Sequence, residues 1–257
     1  MSRIYTTEIT SDQLSSDNPL HQRLLRPYIE ARRWIRGDLL EVGCGEGRGV
    51  SWLLPHITSY SAIDKIVSAI AALKAKYPSA GLTAASLPPL PYGDASFDTV
   101  VSFQVIEHID DDRLFLQEIL RVLRPGGTAL ISTPNRPMSL SRNPWHVREY
   151  TADELTALAR SVFPNVEMKG IAGNEKVMAY HEQNRKSVNR IMRWDIFNLQ
   201  HRLPSFLLRV PYDLLNRLNR RGLQSSHDSL VTGITHDDYG VTEKAESALD
   251  LFLVVRK

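Results

Sequence analysis

The run Leu39-Leu-Glu-Val-Gly-Cys-Gly-Glu-Gly-Arg-Gly49 carries an apolar stretch straight into glycines at 43, 45 and 47. It reads as a strand that breaks into a glycine loop and opens a helix. Glycines there let the backbone turn tightly and approach a ligand with no Cβ in the way, and the helix start offers free N–H groups. A nucleotide-like ligand is implied. The glycines run G-x-G-x-G, and no register among them satisfies the G-x-G-x-x-G fingerprint, which argues against a nicotinamide dinucleotide. Asp64 follows 21 residues after Gly43, directly behind a second strand candidate, where an acid can accept both hydroxyls of a ribose.

The rest of the chain extends this pattern into a sheet. From Gly37 to Val162, β-branched runs alternate with amphipathic ones, as in strands joined by crossover helices in a parallel sheet. Strands are expected at Asp38 to Val42, Tyr60 to Ile63, Gly81 to Ala85, Phe97 to Phe103 and Thr128 to Thr133. Between them, Val50, Leu53 and Leu54, then Ile66, Ile70 and Leu73, then Phe115, Ile119, Leu120 and Leu123 recur at helical spacing. Arg124-Pro-Gly-Gly127 is expected to turn the third helix into the fifth strand. Thr151 and Glu154 form a capping-box pattern that predicts a helix start. Val166 to Ile171 and Leu249 to Val255 complete seven strands.

Residues 173–247 have another character. Residues 173–224 hold ten Lys and Arg against four Asp and Glu, and residues 225–247 hold one against five. The whole-chain charge of +2 over 257 residues conceals this segregation and exerts no strong pull on nucleic acid. Val188, Ile191, Met192, Ile196 and Leu199 form one helical stripe, and Val210, Leu214, Leu215 and Leu218 another. No apolar run approaches the roughly 18 residues of a membrane span. The opening residues lack the basic-then-apolar pattern of a leader, and the single cysteine forms no internal disulfide, so a cytoplasmic protein is expected.

Glu41-Val-Gly-Cys-Gly-Glu-Gly47, Asp64, Leu90-Pro-Tyr-Gly-Asp-Ala-Ser-Phe-Asp-Thr-Val100, Val105-Ile-Glu-His108 and Leu123-Arg-Pro-Gly-Gly127 stand in the order and spacing of class I S-adenosylmethionine-dependent methyltransferases. Over roughly residues 37–170 the chain resembles that family. The resemblance implies an α/β Rossmann-like fold, with a mostly parallel seven-stranded sheet, helices on both faces and a helical insertion before an antiparallel last strand. It divides the chain into an N-terminal helical extension (1–36), a cofactor-binding core (37–172 and 248–257) and an insertion (173–247) that would form a lid over the acceptor. S-adenosylmethionine, leaving as S-adenosylhomocysteine, would contact Glu41, Gly43, Cys44, Gly45, Gly47, Asp64, Lys65, Ser86, Leu87, Phe103 and Gln104. Ala85-Ser86-Leu87 stands where the family often has Gly-Asp-Ala, so Ser86 or a backbone carbonyl would meet the adenine amino group.

The resemblance also supplies catalytic candidates. The segment Ser132 to Tyr150 follows the fifth strand at the carboxyl edge of the sheet and is long for a connection, so it should cover the acceptor. Its His146, Glu149 and Tyr150 resemble a stretch in bacterial methyltransferases associated with sugars and cell-surface glycans. His146 would act as general base on an alcohol, with Glu107, His108 and Tyr150 as further catalytic candidates. Related quinone-pathway O-methyltransferases place a Glu three positions before the Glu-His pair at a metal-associated site. Gln104 stands there, so no metal is expected.

The chain lacks the Asn-Pro-Pro-Tyr motif that grips an exocyclic amine, and nucleic acid is not expected as a partner. A small-molecule acceptor is, with peripheral membrane contact through the basic insertion as a further expectation; the residues set no oligomeric state. O-methylation of a small hydroxylated acceptor, such as a sugar or lipid-linked saccharide, is the leading reading. N-methylation of a small amine and a non-catalytic cofactor-binding module are the alternatives.

Overall fold

The computed structural model describes residues 14–195 and 199–257. Its elements are α1 (Asn18–Ala31), β1 (Asp38–Val42), α2 (Val50–Leu53), β2 (Ser59–Asp64), α3 (Val67–Lys76), β3 (Gly81–Ala84), β4 (Phe97–Phe103), α4 (Asp112–Val122), β5 (Leu123–Pro134), α5 (Ala152–Arg160) and β6 (Asn165–Gly173), followed by α6 (Glu175–Met192), α7 (Leu199–Arg202), α8 (Ser205–Ser226), α9 (Asp228–Gly233), β7 (Tyr239–Thr242) and β8 (Asp250–Arg256). The strands form one sheet in the order β3-β2-β1-β4-β5-β8-β6-β7. Pairing from β3 through β5 is parallel, whereas β8 runs antiparallel to both β5 and β6. The antiparallel last strand expected from the resemblance is present.

Alternate residues of the central strands feed two cores, one on each face of the sheet. Leu251, Leu253 and Val255 of β8 join Ile131 of β5 and Phe115, Ile119 and Leu155 from α4 and α5. Phe252 and Val254 join Leu130 on the other face, with Tyr28, Val50, Ile70 and Val177 from α1, α2, α3 and α6. Lying between β5 and β6, β8 is covered on both sides, which explains its nearly unbroken apolar sequence. The capping box forms at α5, where Thr151 Oγ1 accepts from Glu154 N and Glu154 Oε2 accepts from Thr151 N.

Three expectations are corrected. Among the described residues the sheet has eight strands rather than seven, because the insertion contributes β7, which pairs antiparallel with β6. Four residues are too few to show a period in sequence; β7 is held by the buried Tyr239, whose hydroxyl donates to Pro19 O at 2.8 Å. The fifth strand starts at Leu123, since Leu123 pairs with Phe97 before a shift of register carries the ladder on at Thr128, so Arg124-Pro-Gly-Gly127 lies inside β5. The stripe assigned to Val188 through Leu199 is not one helix: α6 ends at Met192, Leu199 opens α7, and Ile196 lies outside the described residues. Residues 1–13 of the expected N-terminal extension also lie outside them.

Helix α1 ties distant parts of the chain to the sheet. Asn18 Nδ2 donates to Val231 O and Ile234 O, both at 2.8 Å. Arg23 pairs with Asp250 at the start of β8, Nε to Oδ2 at 2.6 Å. Tyr28 donates to Glu41 Oε1 at 2.7 Å, and Tyr60 of β2 donates to Oε2 at 2.5 Å. Gly49 makes room for Tyr28, because a Cβ there would fall 1.8 Å from its ring.

Glu41 is fully enclosed, and burial lifts its pKa from 4.5 to about 7 despite the two tyrosine hydrogen bonds. The folded chain therefore holds a proton that the unfolded chain would release. This contribution to stability is complete below about pH 4.5 and is lost as pH rises through about 7. Glu41→Gln should lack the slope: between these limits wild-type unfolding free energy falls by about 3 kcal/mol relative to the variant. Urea titrations at pH 4.5 and 8 measure the difference, and parallel curves for the two proteins would contradict it.

Candidate active site

Strand order reverses between β1 and β4, and the loops leaving their carboxyl ends face a common crevice. The loop after β1 is left-handed at three positions, with φ of +82° at Gly43, +51° at Gly45 and +79° at Gly47. A Cβ at Gly43 would lie 2.3 Å from Val105 Cγ2, so the two loops meet there backbone to side chain. A Cβ at Gly45 would meet nothing within 4 Å, so the loop presents open backbone at its middle.

Asp64, at the end of β2, braces this loop. Its Oδ2 accepts from Gly45 N at 2.7 Å and its Oδ1 from Ile66 N at 2.9 Å. Each carboxylate oxygen has two acceptor sites, so one per oxygen remains for a ligand hydroxyl. Lys65 follows immediately and is exposed, and Cys44 is buried, with burial and the nearby Glu41 raising its thiol pKa. Ser86 is exposed and Leu87 half-buried just beyond β3, on the side of the crevice bounded by Asp64, whose O accepts from Ala85 N at 3.1 Å.

At the end of β4, Phe103 packs edge-on to Tyr28 with ring centroids 4.8 Å apart. Gln104 adopts φ +60°, a conformation unfavourable for a residue with a Cβ and characteristic of functional turns. Its N–H donates to Ser132 O at 2.8 Å, and its side-chain amide lies 3.4 Å from Ser132 Oγ and from Asp250 Oδ1. The Arg23–Asp250 pair thus borders the same crevice, a feature missed in sequence. Its signal was the single acid within the apolar run Leu249 to Val255.

Of the four catalytic candidates, the structure brings three together: one ligand-type atom from each of Glu107, His108 and His146 lies within 4.8 Å of the others. Glu107 is buried, which raises its pKa against the opposing pull of His108 and His146, and its Oε2 accepts from Thr133 Oγ1 at 2.9 Å. Val147 N and Arg148 N donate to Glu107 O, binding the acceptor loop onto this turn. His108 Nδ1 lies 2.9 Å from Trp145 O, and the two histidine rings meet edge to face at 5.0 Å. Tyr150 is directed elsewhere, its hydroxyl donating to Asp112 at 2.8 Å beside Arg148, where burial and the carboxylate raise its pKa.

The bonding around His146 defines its tautomer. Trp145 N donates to Asn143 Oδ1 at 3.0 Å, which turns the Asn143 amide nitrogen toward His146 Nε2 at 2.8 Å. Nε2 therefore carries the lone pair and Nδ1 the proton, which it donates to Glu149 Oε1 at 2.7 Å. Burial opposes ionisation of Glu149, but bonds from His146 and Ser139 outweigh it and hold its pKa below the usual value. A carboxylate on Nδ1 and an electron pair on Nε2, met here by the Asn143 amide, form an oriented base. Holding a cation with the trio would require His146 to exchange its Asn143 contact for the ion.

Residues 40–131 match the methyltransferase domain family. Over 168 residues the chain is 43% identical to a Mycolicibacterium smegmatis protein named a "probable S-adenosylmethionine-dependent methyltransferase"; the match spans 63% of this chain and 65% of that relative. An O-methyltransferase of Aspergillus nomiae is 32% identical over 119 residues, covering 43% of this chain and 53% of that one. The crystal structure of a SAM-dependent methyltransferase from Thermotoga maritima superposes with a TM-score of 0.58 over 93% of this chain and 92% of its own, at 14% identity, a likeness of fold.

Residues 40–131 thus match a methyltransferase domain, and the chain, which spans just under two thirds of the length of its curated relatives, is similar to proteins named for their dependence on S-adenosylmethionine. The residues present fit that cofactor: the Gly45 backbone is open to a ligand, and Asp64 keeps acceptor capacity beside it. Gly45→Ala should separate binding from folding. At φ +51° an alanine costs about 1–2 kcal/mol of stability. Its methyl group would also occupy the open cradle, so calorimetry should show S-adenosylhomocysteine affinity falling more than about tenfold. Unchanged affinity would remove the loop from the binding site.

Proposed function

We propose that this chain transfers a methyl group from S-adenosylmethionine to a hydroxyl of a small acceptor, such as a sugar or a lipid-linked saccharide. The observation that carries this reading is the His146–Glu149 pair with its Nε2 electron pair, set beside Glu107 and His108 on the loop that follows β5. When bound, the cofactor supplies an electrophilic methyl group on a sulfonium. An alcohol is a poor nucleophile until its proton is leaving, whereas a neutral amine already has an available electron pair. An oriented base is therefore useful for O-methylation and much less so for N-methylation.

In this reading the acceptor hydroxyl takes the place of the Asn143 amide at His146 Nε2. His146 receives the proton, and Glu149 stabilises the resulting imidazolium through Nδ1. Glu107, held by Thr133, lies beside both histidines. Trp145, Arg142 and the insertion close the loop from outside: Arg142 donates to Gln200 O at 2.8 Å and to Ser205 Oγ at 2.9 Å. Closing the loop excludes water and aligns the acceptor, the two main requirements of an in-line displacement.

With radiolabelled S-adenosylmethionine and a panel of saccharides, lipid-linked saccharides and amines, label should pass to a hydroxylated acceptor. On that acceptor, His146→Ala should reduce kcat by about 10²- to 10⁴-fold while leaving S-adenosylhomocysteine affinity unchanged. Label transfer only to amines, or full turnover by His146→Ala, would refute the reading. Cofactor binding with no transfer to any acceptor would favour a non-catalytic module.

A further inference from the structure

Helix α8 is turned inside out for a helix of a water-soluble domain. Its inward positions are largely polar. Asn219 Nδ2 donates to Asn184 Oδ1 on α6 at 2.7 Å, Arg220 donates to Asp17 at 3.0 Å, and Asp213 accepts from Trp145 Nε1 at 3.1 Å. Its outward positions are apolar: Phe206, Leu207, Val210, Leu214, Leu215 and Leu218 are 44 to 76% exposed. Phe206, Val210, Leu214 and Leu218 repeat every four residues and so form one continuous stripe, about 18 Å long. Isolated exposed leucines need no explanation, but a contiguous stripe of this length does.

The charges beside the stripe identify what covers it. Arg221, three residues beyond Leu218, is exposed on the outward face toward the helix end, and it belongs to a segment, 173–224, that holds ten Lys and Arg against four Asp and Glu. Asp213 is the single acid of α8, and it is bonded to Trp145. A second copy of the chain would bring apolar surface to this face, but it would also set one basic segment against another. Anionic lipid headgroups satisfy both parts: the stripe enters the acyl boundary while Arg221 and the basic segment around it meet phosphates. Trp194, 86% exposed after the end of α6, adds an indole of the kind enriched at membrane interfaces.

We infer that the outward face of α8 docks this chain onto the surface of an anionic phospholipid membrane. The helix does not cross the bilayer, and no helix among the described residues is long and apolar enough to do so. Docking would also position the candidate active site. Arg209 lies 4.3 Å above the Trp145 ring while Asp213 holds its indole nitrogen, so α8 is fastened to the residue adjoining His146. His146 would then lie roughly one helix diameter, about 10 Å, from the headgroups. This inference goes beyond the methyl-transfer reading and stands independently of it, because membrane binding is read with neither cofactor nor acceptor present.

The test is co-sedimentation of the full chain with vesicles of phosphatidylcholine containing 30% phosphatidylglycerol, and with phosphatidylcholine alone. Wild type should bind the anionic vesicles at least tenfold more tightly than the neutral ones. The triple variant Val210→Asn, Leu214→Asn, Leu218→Asn should lose at least tenfold, and Arg221→Glu about tenfold. Since the triple variant alters side chains already facing water, it should keep the wild-type circular dichroism and affinity for S-adenosylhomocysteine. Failure of wild type to bind anionic vesicles, or equal binding by the triple variant, would overturn the inference. So would light scattering that shows a wild-type dimer which the triple variant dissolves, because the stripe would then belong to a second copy.

Discussion

The reversal of strand order between β1 and β4 is the constraint on which the ligand-facing part of this chain depends. Because β2 and β3 lie to one side of β1 while β4 and β5 lie to the other, the loops leaving β1 and β4 diverge and open a crevice. Only glycine permits the close approach that follows, since Gly43 meets Val105 across that opening. Asp64 braces the next turn by bonding the N–H of Gly45 from the end of β2. One carboxylate therefore shapes the loop, and a ligand held by Asp64 would couple loop conformation to ligand contact through the same atoms.

Around this crevice, charge is held by mutual bonding rather than exposed to water. Arg23 and Asp250 pair at the start of β8, Glu41 rests under two tyrosines, and Glu149 is held by His146 and Ser139. Arg23 also acts electrostatically on Glu149 and helps burial lower the pKa of His181. Helix α1, the loop after β5 and the insertion thus share one electrostatic environment. On the proposed reading, an acceptor bound there would exchange existing bonds, the Asn143 amide on His146 being the clearest example, and need not bury unpaired charge.

The sheet was legible in sequence where local chemistry dictates structure. The glycine loop, the Thr151 capping box and the apolar strand Leu249 to Val255 each specify their conformation within a few residues. What escaped depends on contacts across the chain. Strand β7 is four residues long and is held by Tyr239 reaching Pro19, 220 positions away in sequence. The bonding of Asn143 and Glu149 to His146 needs the fold of a loop that has no period. The stripe on α8 was visible, yet its direction was not: periodicity shows that a helix has an apolar face, and only the polar bonds of Asn219, Arg220 and Asp213 show that this one faces outward.

A crystal structure of the chain with S-adenosylhomocysteine tests the central claim most directly, because it locates the reacting sulfur relative to both halves of the site. The account predicts the ligand along the backbone at Gly45, a ribose hydroxyl on Asp64, and the sulfur facing His146 across the space bordered by Gln104, Glu107 and His108. A ligand bound away from Gly45 and Asp64 would contradict it, as would a sulfur facing away from the loop after β5.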